Sequence, residues 1–237
     1  MTSVTVTTKV VTTNLKRKED KIVTIAYFII AALIGYILGS IPFGFLYVKA
    51  KTGKDIRTIG SGRMGGTNSY RAGGIAIGLL TVFSDLLKGA GTVWAATWLF
   101  SSKVDPALLP WIVTTGGVMA VIGHNWSIFL KFRGGAGTAP NVGWSAAIWW
   151  PMFPVAFVVM LGIFWAIGMA SVASMSMALL IPTIFAVRYF MGLDPTPAYM
   201  IGGILTAFAV GWALRPNFKR IAEGKERVVG PRAKKKD

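Results

Sequence analysis

The sequence predicts an all-α integral membrane protein of about seven transmembrane helices joined by short glycine-rich loops. Three observations lead there. Hydrophobic residues make up 54% of the 237 and charged residues only 14%, with a mean hydropathy of +0.59. The apolar runs are long and continuous instead of alternating, which argues against a β-barrel. A hydrocarbon core of ~30 Å needs ~20 apolar residues per helix, and backbone groups in lipid must be satisfied within the chain. Finally, the net charge of +16 is concentrated beside apolar segments and in the C-terminal tail. That distribution fits the positive-inside rule and attraction to anionic lipid, and no nucleic-acid reading module accompanies it.

Residues 1–21 are Thr/Val-rich, end in Lys16-Arg17-Lys18-Glu19-Asp20-Lys21 and read as a flexible tail. The membrane domain follows over residues 22–214, and 215–237 form a basic tail. The first span runs roughly from Ile22 to Val48, with Gly39-Ser40-Ile41-Pro42-Phe43-Gly44 as its kink. The second covers about Gly74 to Phe100 and carries Asp85 and Lys88, which at i, i+3 share a helix face. Ionisable residues at membrane depth face a cavity or a partner, so both a functional role and a structural pair stay open. The third span, about Leu108 to Leu130, holds Gly123-His124-Asn125 near its end. Pro140 to Ile167 divides into two helices at Pro151 and Pro154, with tryptophans at an interface. A sixth span reaches about Met191 and a seventh ends near Leu214.

An odd number of spans puts the termini on opposite sides. Nine Lys/Arg in the C-terminal tail make that end cytoplasmic, although five Lys/Arg in the N-terminal tail then lie outside. Three polar connections share the cytoplasmic side. The first is Gly60-Ser61-Gly62-Arg63-Met64-Gly65-Gly66-Thr67-Asn68-Ser69-Tyr70-Arg71. Its glycines permit close backbone approach, its amides can cradle an anion, and Arg63 and Arg71 can bind phosphate. The spacing resembles a Walker A loop, but glycine stands where the phosphate-binding lysine belongs, which argues against nucleotide hydrolysis. The second connection is Lys131-Phe132-Arg133-Gly134-Gly135-Ala136-Gly137-Thr138, and the third includes Ser171 and Ser174. Phosphate-binding groups beside apolar helices suit chemistry on a lipid precursor. The absence of cysteine and the single histidine exclude thiolate chemistry and make a histidine-built metal site improbable. No cofactor is expected.

These motifs resemble the bacterial membrane glycerol-3-phosphate acyltransferases that use acyl-phosphate as donor. That family's Gly-Ser-Ile-Pro-x-Gly matches Gly39 to Gly44, and its Asp-Ile/Leu-Arg followed by Gly-Ser-Gly-Asn-x-Gly-Ala-Thr-Asn resembles Asp55-Ile56-Arg57 and Gly60 to Asn68. Asp-x-x-Lys-Gly matches Asp85, Lys88 and Gly89; Gly-His and Phe-Lys-Gly-Gly-Lys-Gly resemble Gly123-His124 and Phe132 to Gly137. Ser171 and Ser174 fit a Ser-x-x-Ser element, and Arg215, Asn217, Arg220, Glu223 and Gly224 resemble the family's tail.

The resemblance implies transfer of an acyl group from acyl-phosphate to the 1-hydroxyl of glycerol 3-phosphate in a bacterial cytoplasmic membrane, giving lysophosphatidate and phosphate. Partners would be the two substrates and membrane lipid, with no nucleic acid. By the same carry-over, Ser61, Thr67, Asn68 and Arg71 line the phosphate and glycerol site, within a loop shaped by Gly60, Gly62 and Gly65. Arg63, Lys88 and Arg133 supply cations, and Gly134, Gly135 and Gly137 give backbone approach. Ser171, Ser174 and Asn217 complete the polar wall. His124 is either a proton acceptor or a structural anchor, and the anchor is preferred because a substrate phosphate can take the proton. The His-x4-Asp signature of another acyltransferase class is absent, since Phe129 stands where its aspartate would be.

Four positions depart from the family pattern. Arg63 replaces asparagine, Gly66 alanine, Ala136 the second lysine of the glycine-rich motif, and Leu214 a histidine. A compensating role for Arg63 toward Ala136 is one expectation. A catalytically silent homologue that still binds lipid phosphates is the alternative to an active enzyme.

Overall fold

The computed structural model describes residues 2–228, with side chains from residue 19 onward. Among these residues there are nine α-helices and two 3-10 turns, and no strand.

Helix α1 (Thr2–Ser40) contains no proline, and its first glycine is Gly35. Each residue added to an existing helix gains a hydrogen bond without a new nucleation cost. The segment expected to be a flexible tail is accordingly helical backbone continuous with the span. Pro42 stops α1 because it lacks an N–H and disfavours helical geometry in the residue before it. The chain resumes as α2 (Phe43–Thr52), which Gly53 closes with a left-handed φ of 71° and an N–H bond to the Lys49 carbonyl.

The carbonyls exposed by this break find partners elsewhere. Ser127 Oγ donates to the Ser40 carbonyl at 2.6 Å, and Lys88 Nζ donates to that of Ile41 at 3.0 Å. Here the sequence feature that bends the first span also ties it to two other helices.

The remaining helices are α3 (Gly66–Gly73), α4 (Ile75–Phe100), α5 (Leu109–Asn125), α6 (Thr138–Ile148), α7 (Met152–Ala166), α8 (Ala170–Phe190) and α9 (Ala198–Ala222). Five segments are long and apolar enough to cross a membrane: Glu19–Thr52, Ile75–Phe100, Leu109–Leu130, Ala170–Phe190 and Ala198–Ala222. That count is of the described residues; of the seven spans expected, the two within residues 140–167 fall to α6 with 11 residues and α7 with 15, fewer than the ~20 a straight crossing needs. Helix α9 also runs eight residues beyond Leu214. Pro216 inside it leaves the Trp212 carbonyl without its helical donor, and Arg215 Nε fills that place at 3.0 Å.

Lipid supplies no hydrophobic force between helices, so close packing needs small residues at the crossings. Helix α1 lies on α5 through Gly35, Gly39 and Gly123. A methyl group at these positions would stand 2.1–2.3 Å from carbonyl oxygens of the facing helix. Helices α4 and α6 meet in the same way at Gly89 and Gly143. Between α5, α6, α8 and α9 the core is built on fully buried Trp144, which stacks on Phe185 at 5.9 Å and donates Nε1–H to Asn141 Oδ1 at 2.7 Å. Trp98, Trp165, Phe190 and Phe208 are instead 73–80% exposed, as apolar side chains facing lipid should be. These residues define a multi-pass membrane protein whose polar loops gather against the ends of α5, α8 and α9.

Candidate active site

The first glycine loop is built around Asn68, whose side chain is 2% exposed. Its Nδ2 reaches the carbonyls of Ile56, Ile59 and Arg63 at 3.2, 2.9 and 2.9 Å, while Oδ1 accepts the Ser61 N–H at 3.0 Å. Asn68 therefore holds the loop's shape, and its polar atoms are engaged by the loop itself. Gly60 is required beside it: φ is +53°, and a Cβ there would stand 2.3 Å from Asn68 Oδ1. Gly62 turns the chain with φ of 69° and donates its N–H to the Ile59 carbonyl. Ser61 Oγ accepts the Arg63 N–H at 3.4 Å.

Gly65 precedes α3, and the N–H groups of Gly66 and Thr67 open that helix without an acceptor among the described residues. Such free amides suit an anion. Gly66, one of the four departures, has a physical reason: the methyl of an alanine would lie 2.2 Å from Val82 Cγ2 on α4.

From this loop Arg63 reaches α9 and donates Nη2–H to the Ala213 carbonyl. Burial lowers its guanidinium from the ordinary value, and the charge of Arg220 acts in the same direction. Arg71 is lowered by burial and by the charge of Arg227, with Glu226 opposing. Both stay cationic at neutral pH. They bring positive charge to a partly dehydrated region, where it acts on an anion more strongly than in water.

The third polar segment joins here. Ser171 Oγ donates to Glu226 Oε1 at 3.0 Å, Asn217 Nδ2 donates to the same oxygen at 2.7 Å, and Arg220 Nε donates to Oε2 at 2.9 Å. Ser174 Oγ accepts from Thr138 Oγ1 at 2.7 Å, which links α8 to the start of α6. The structure thus brings Ser171, Asn217 and Arg220 onto Glu226, whose charge also acts on Arg63 and Arg71. That carboxylate was not among the sequence candidates, and only its place near the tail motif could have drawn attention to it.

The other candidates lie in a second, adjoining group. Asp85 Oδ1 pairs with Lys88 Nζ at 2.9 Å and stands 3.6 Å from His124 Nδ1, all nearly fully buried. Lys88 is committed to Asp85 and the Ile41 carbonyl. The other face of the His124 ring lies on Gly135, where a Cβ would be 1.9 Å from Nε2. Gly135 N–H donates to the His124 carbonyl at 2.9 Å and Gly134 N–H to that of Asn125 at 3.2 Å. Gly137, at φ of 79°, fits against Asn125 Oδ1. These three glycines give close approach to helix α5 of the same chain, and His124 is enclosed as an anchor. Ala136 packs against the apolar core.

Arg133 is exposed and lines an open cavity of about 540 Å³ with Asp55, Arg57, Thr58 and Lys131. Hydrogen bonds from Arg57 hold the Asp55 carboxyl below its usual value. Lys131 and Phe132 carry positive φ values of 52° and 61°, a strained geometry for residues other than glycine.

A multi-pass α-helical membrane protein with a cationic, hydroxyl- and amide-bearing region between its first glycine loop and the ends of α8 and α9 is the class that this geometry defines. Within that class, the family model described as glycerol-3-phosphate acyltransferase matches residues 29–224, and the chain belongs to this family. Glycerol-3-phosphate acyltransferase of Rubrobacter xylanophilus is 33% identical over 205 residues, covering 86% of this chain and 96% of the relative. That of Rhodospirillum rubrum is 36% identical over 209 residues, covering 87% and 92%. Among solved structures, the glycerol 3-phosphate form of PlsY, an integral membrane glycerol 3-phosphate acyltransferase, aligns with a TM-score of 0.73 at 30% identity, covering 86% of this chain and 96% of PlsY. Its lysophosphatidic acid form aligns with a TM-score of 0.71.

Proposed function

We propose that the protein transfers an acyl group from acyl-phosphate to the 1-hydroxyl of glycerol 3-phosphate at the cytoplasmic face of a bacterial inner membrane, with its C-terminus on that side. The observation that carries this reading is the convergence of Arg63 and Arg71 with Ser171 and Asn217, in a chain of this family.

An acyl-phosphate is a mixed anhydride whose carbonyl is already activated. The glycerol oxygen adds to the carbonyl carbon, the carbon–oxygen bond to phosphate breaks, and the departing phosphate takes the hydroxyl proton. No protein base is needed, in keeping with an enclosed His124. The protein's share is to hold the hydroxyl against the carbonyl and to balance the charge of two phosphates. Arg71 and Arg63 supply positive charge, and Ser61, Thr67 and the free amides of α3 bind phosphate oxygens. Ser171 and Asn217 form the polar wall. Apolar side chains of the adjoining helices take the acyl tail.

The test uses purified protein in detergent with palmitoyl-phosphate and glycerol 3-phosphate, following lysophosphatidate and phosphate together. Equal amounts of both products are expected. Arg71→Ala should lose about 10²–10³ in turnover, the scale of removing one transition-state donor. A folded protein that turns over neither this pair nor acyl-CoA would favour the silent homologue, the reading to which Ala136 and Leu214 point.

A further inference from the structure

Glu226 lies two residues beyond the stretch that the family model matches, yet its carboxylate ties the tail to α8 once and to α9 twice. Its side chain is 4% exposed. One oxygen receives bonds from the first turn of α8 and the last turns of α9, and the other receives a bond from Arg220. Within the tail, Lys225 N–H donates to the Arg220 carbonyl at 2.7 Å and fixes the backbone beside the carboxylate.

We propose that Glu226 is a positioning residue for the acceptor site. Its carboxylate sets the orientation of Ser171, Asn217 and Arg220 and keeps Arg63 and Arg71 turned toward the bound phosphate. The inference rests on the acyltransfer reading given above.

Two physical arguments separate this role from the alternatives. Three donors already occupy the carboxylate, and against the burial that would raise it, the bonds from Asn217, Ser171 and Arg220 hold its acid form below the ordinary value. A carboxylate so stabilised is a poor proton acceptor, so it is not the base for the glycerol hydroxyl. Nor is it a plug that substrate must expel. Arg63 feels the charges of Arg220 and Arg227, Arg71 feels that of Arg227, and Glu226 opposes both, so the arginines outnumber this carboxylate and a phosphate dianion can be taken up while Glu226 stays in place.

Glu226→Gln tests the proposal, because the amide keeps the shape but presents N–H groups to one set of existing donors. With the full chain in detergent, KM for glycerol 3-phosphate should rise about tenfold or more, the scale of a bond to a charged group. KM for palmitoyl-phosphate should change less than twofold. Glu226→Asp, which restores charge at shorter reach, should recover part of the loss. A purely structural role would lower thermal stability and the yield of active protein without this division between the two KM values.

If Glu226→Gln turns over like the unmodified protein, or binds glycerol 3-phosphate more tightly as removal of a plug would require, the proposal is overturned. If that variant does not fold, Glu226→Asp decides by the same KM comparison, and an unchanged KM overturns it. An unmodified protein without acyltransfer activity overturns the functional reading and this inference together. Activity that the Glu226 variants match overturns the inference alone.

Discussion

Replacing Asn68 with alanine should destabilise the protein before it affects substrate recognition. The amide has two hydrogens for three carbonyl acceptors, so Nδ2 supplies two full bonds in effect, and Oδ1 accepts one more from Ser61. Three net bonds at about 1 kcal/mol each give a loss of about 3 kcal/mol. For a chain of 150–250 residues that lowers Tm by about 6–12 °C. Asn68→Asp keeps the acceptor for Ser61 but sets a carboxylate oxygen against the carbonyls of Ile59 and Arg63, and should be at least as damaging. Tryptophan fluorescence on heating in detergent reads the loss, and amide exchange at Ser61 reads its place. The reasoning fails if Asn68→Ala melts within 2 °C of the unmodified protein while only KM for glycerol 3-phosphate rises. The side chain would then contact substrate directly, the role that family resemblance gave it.

Three further outcomes follow from the packing and the charges. Gly143→Ala puts a methyl 2.0 Å from the Leu86 carbonyl oxygen, and ordinary contact at 3.4 Å requires α4 and α6 to separate by about 1.4 Å. The strain is about 1–3 kcal/mol, visible as a lower Tm and, through Thr138 and Ser174, a lower kcat. Asp85→Asn leaves the Lys88 charge buried without its partner and should cost about 3–5 kcal/mol, whereas Asp85→Leu combined with Lys88→Met should retain most of the stability; thermal melts of the two variants compare them. Glu226 has a depressed acid value, so its contribution is present above the pKa of the unfolded chain and is lost as pH falls through the lower folded value. Exchange of the Lys225 amide, corrected for its intrinsic rate, should be protected at neutral pH and lose protection under acid conditions. In Glu226→Gln it should show no such step.

Continuous apolar runs placed α4 and α8 within a residue or two, while α1 and α9 extend well past their expected bounds, and Pro42 and the spacing of Asp85 and Lys88 gave the first break and the ion pair. These signals are local, set by backbone chemistry and helix periodicity. The helicity of the N-terminal segment was missed because polar, β-branched composition suggests weak propensity, while an adjoining span lets the helix extend. The roles of Asn68, Gly135 and Glu226 depend on contacts that composition does not encode. Asn68 serves its own loop, Gly135 seats a histidine, and Glu226 meets a serine 55 residues away. Loop chemistry named candidate residues, but only the folded chain separates groups bound to one another from groups left open to a ligand. Arg63 bonds to α9, and Ala136, partly buried, packs against the apolar core.

The glycine seam between α1 and α5 also has a consequence in time. Some 85 residues separate the end of α1 from the end of α5. At about 5–20 residues per second, synthesis takes about 4–17 s to deliver the second half of the seam. During that interval α1 is in the bilayer with its narrow glycine stripe facing lipid, and the Tyr36 hydroxyl and Ser40 lack the Trp126 and Ser127 groups that later satisfy them. The first span must therefore be stable alone before it has its mate, and the long, strongly apolar run of α1 ahead of Pro42 meets that demand.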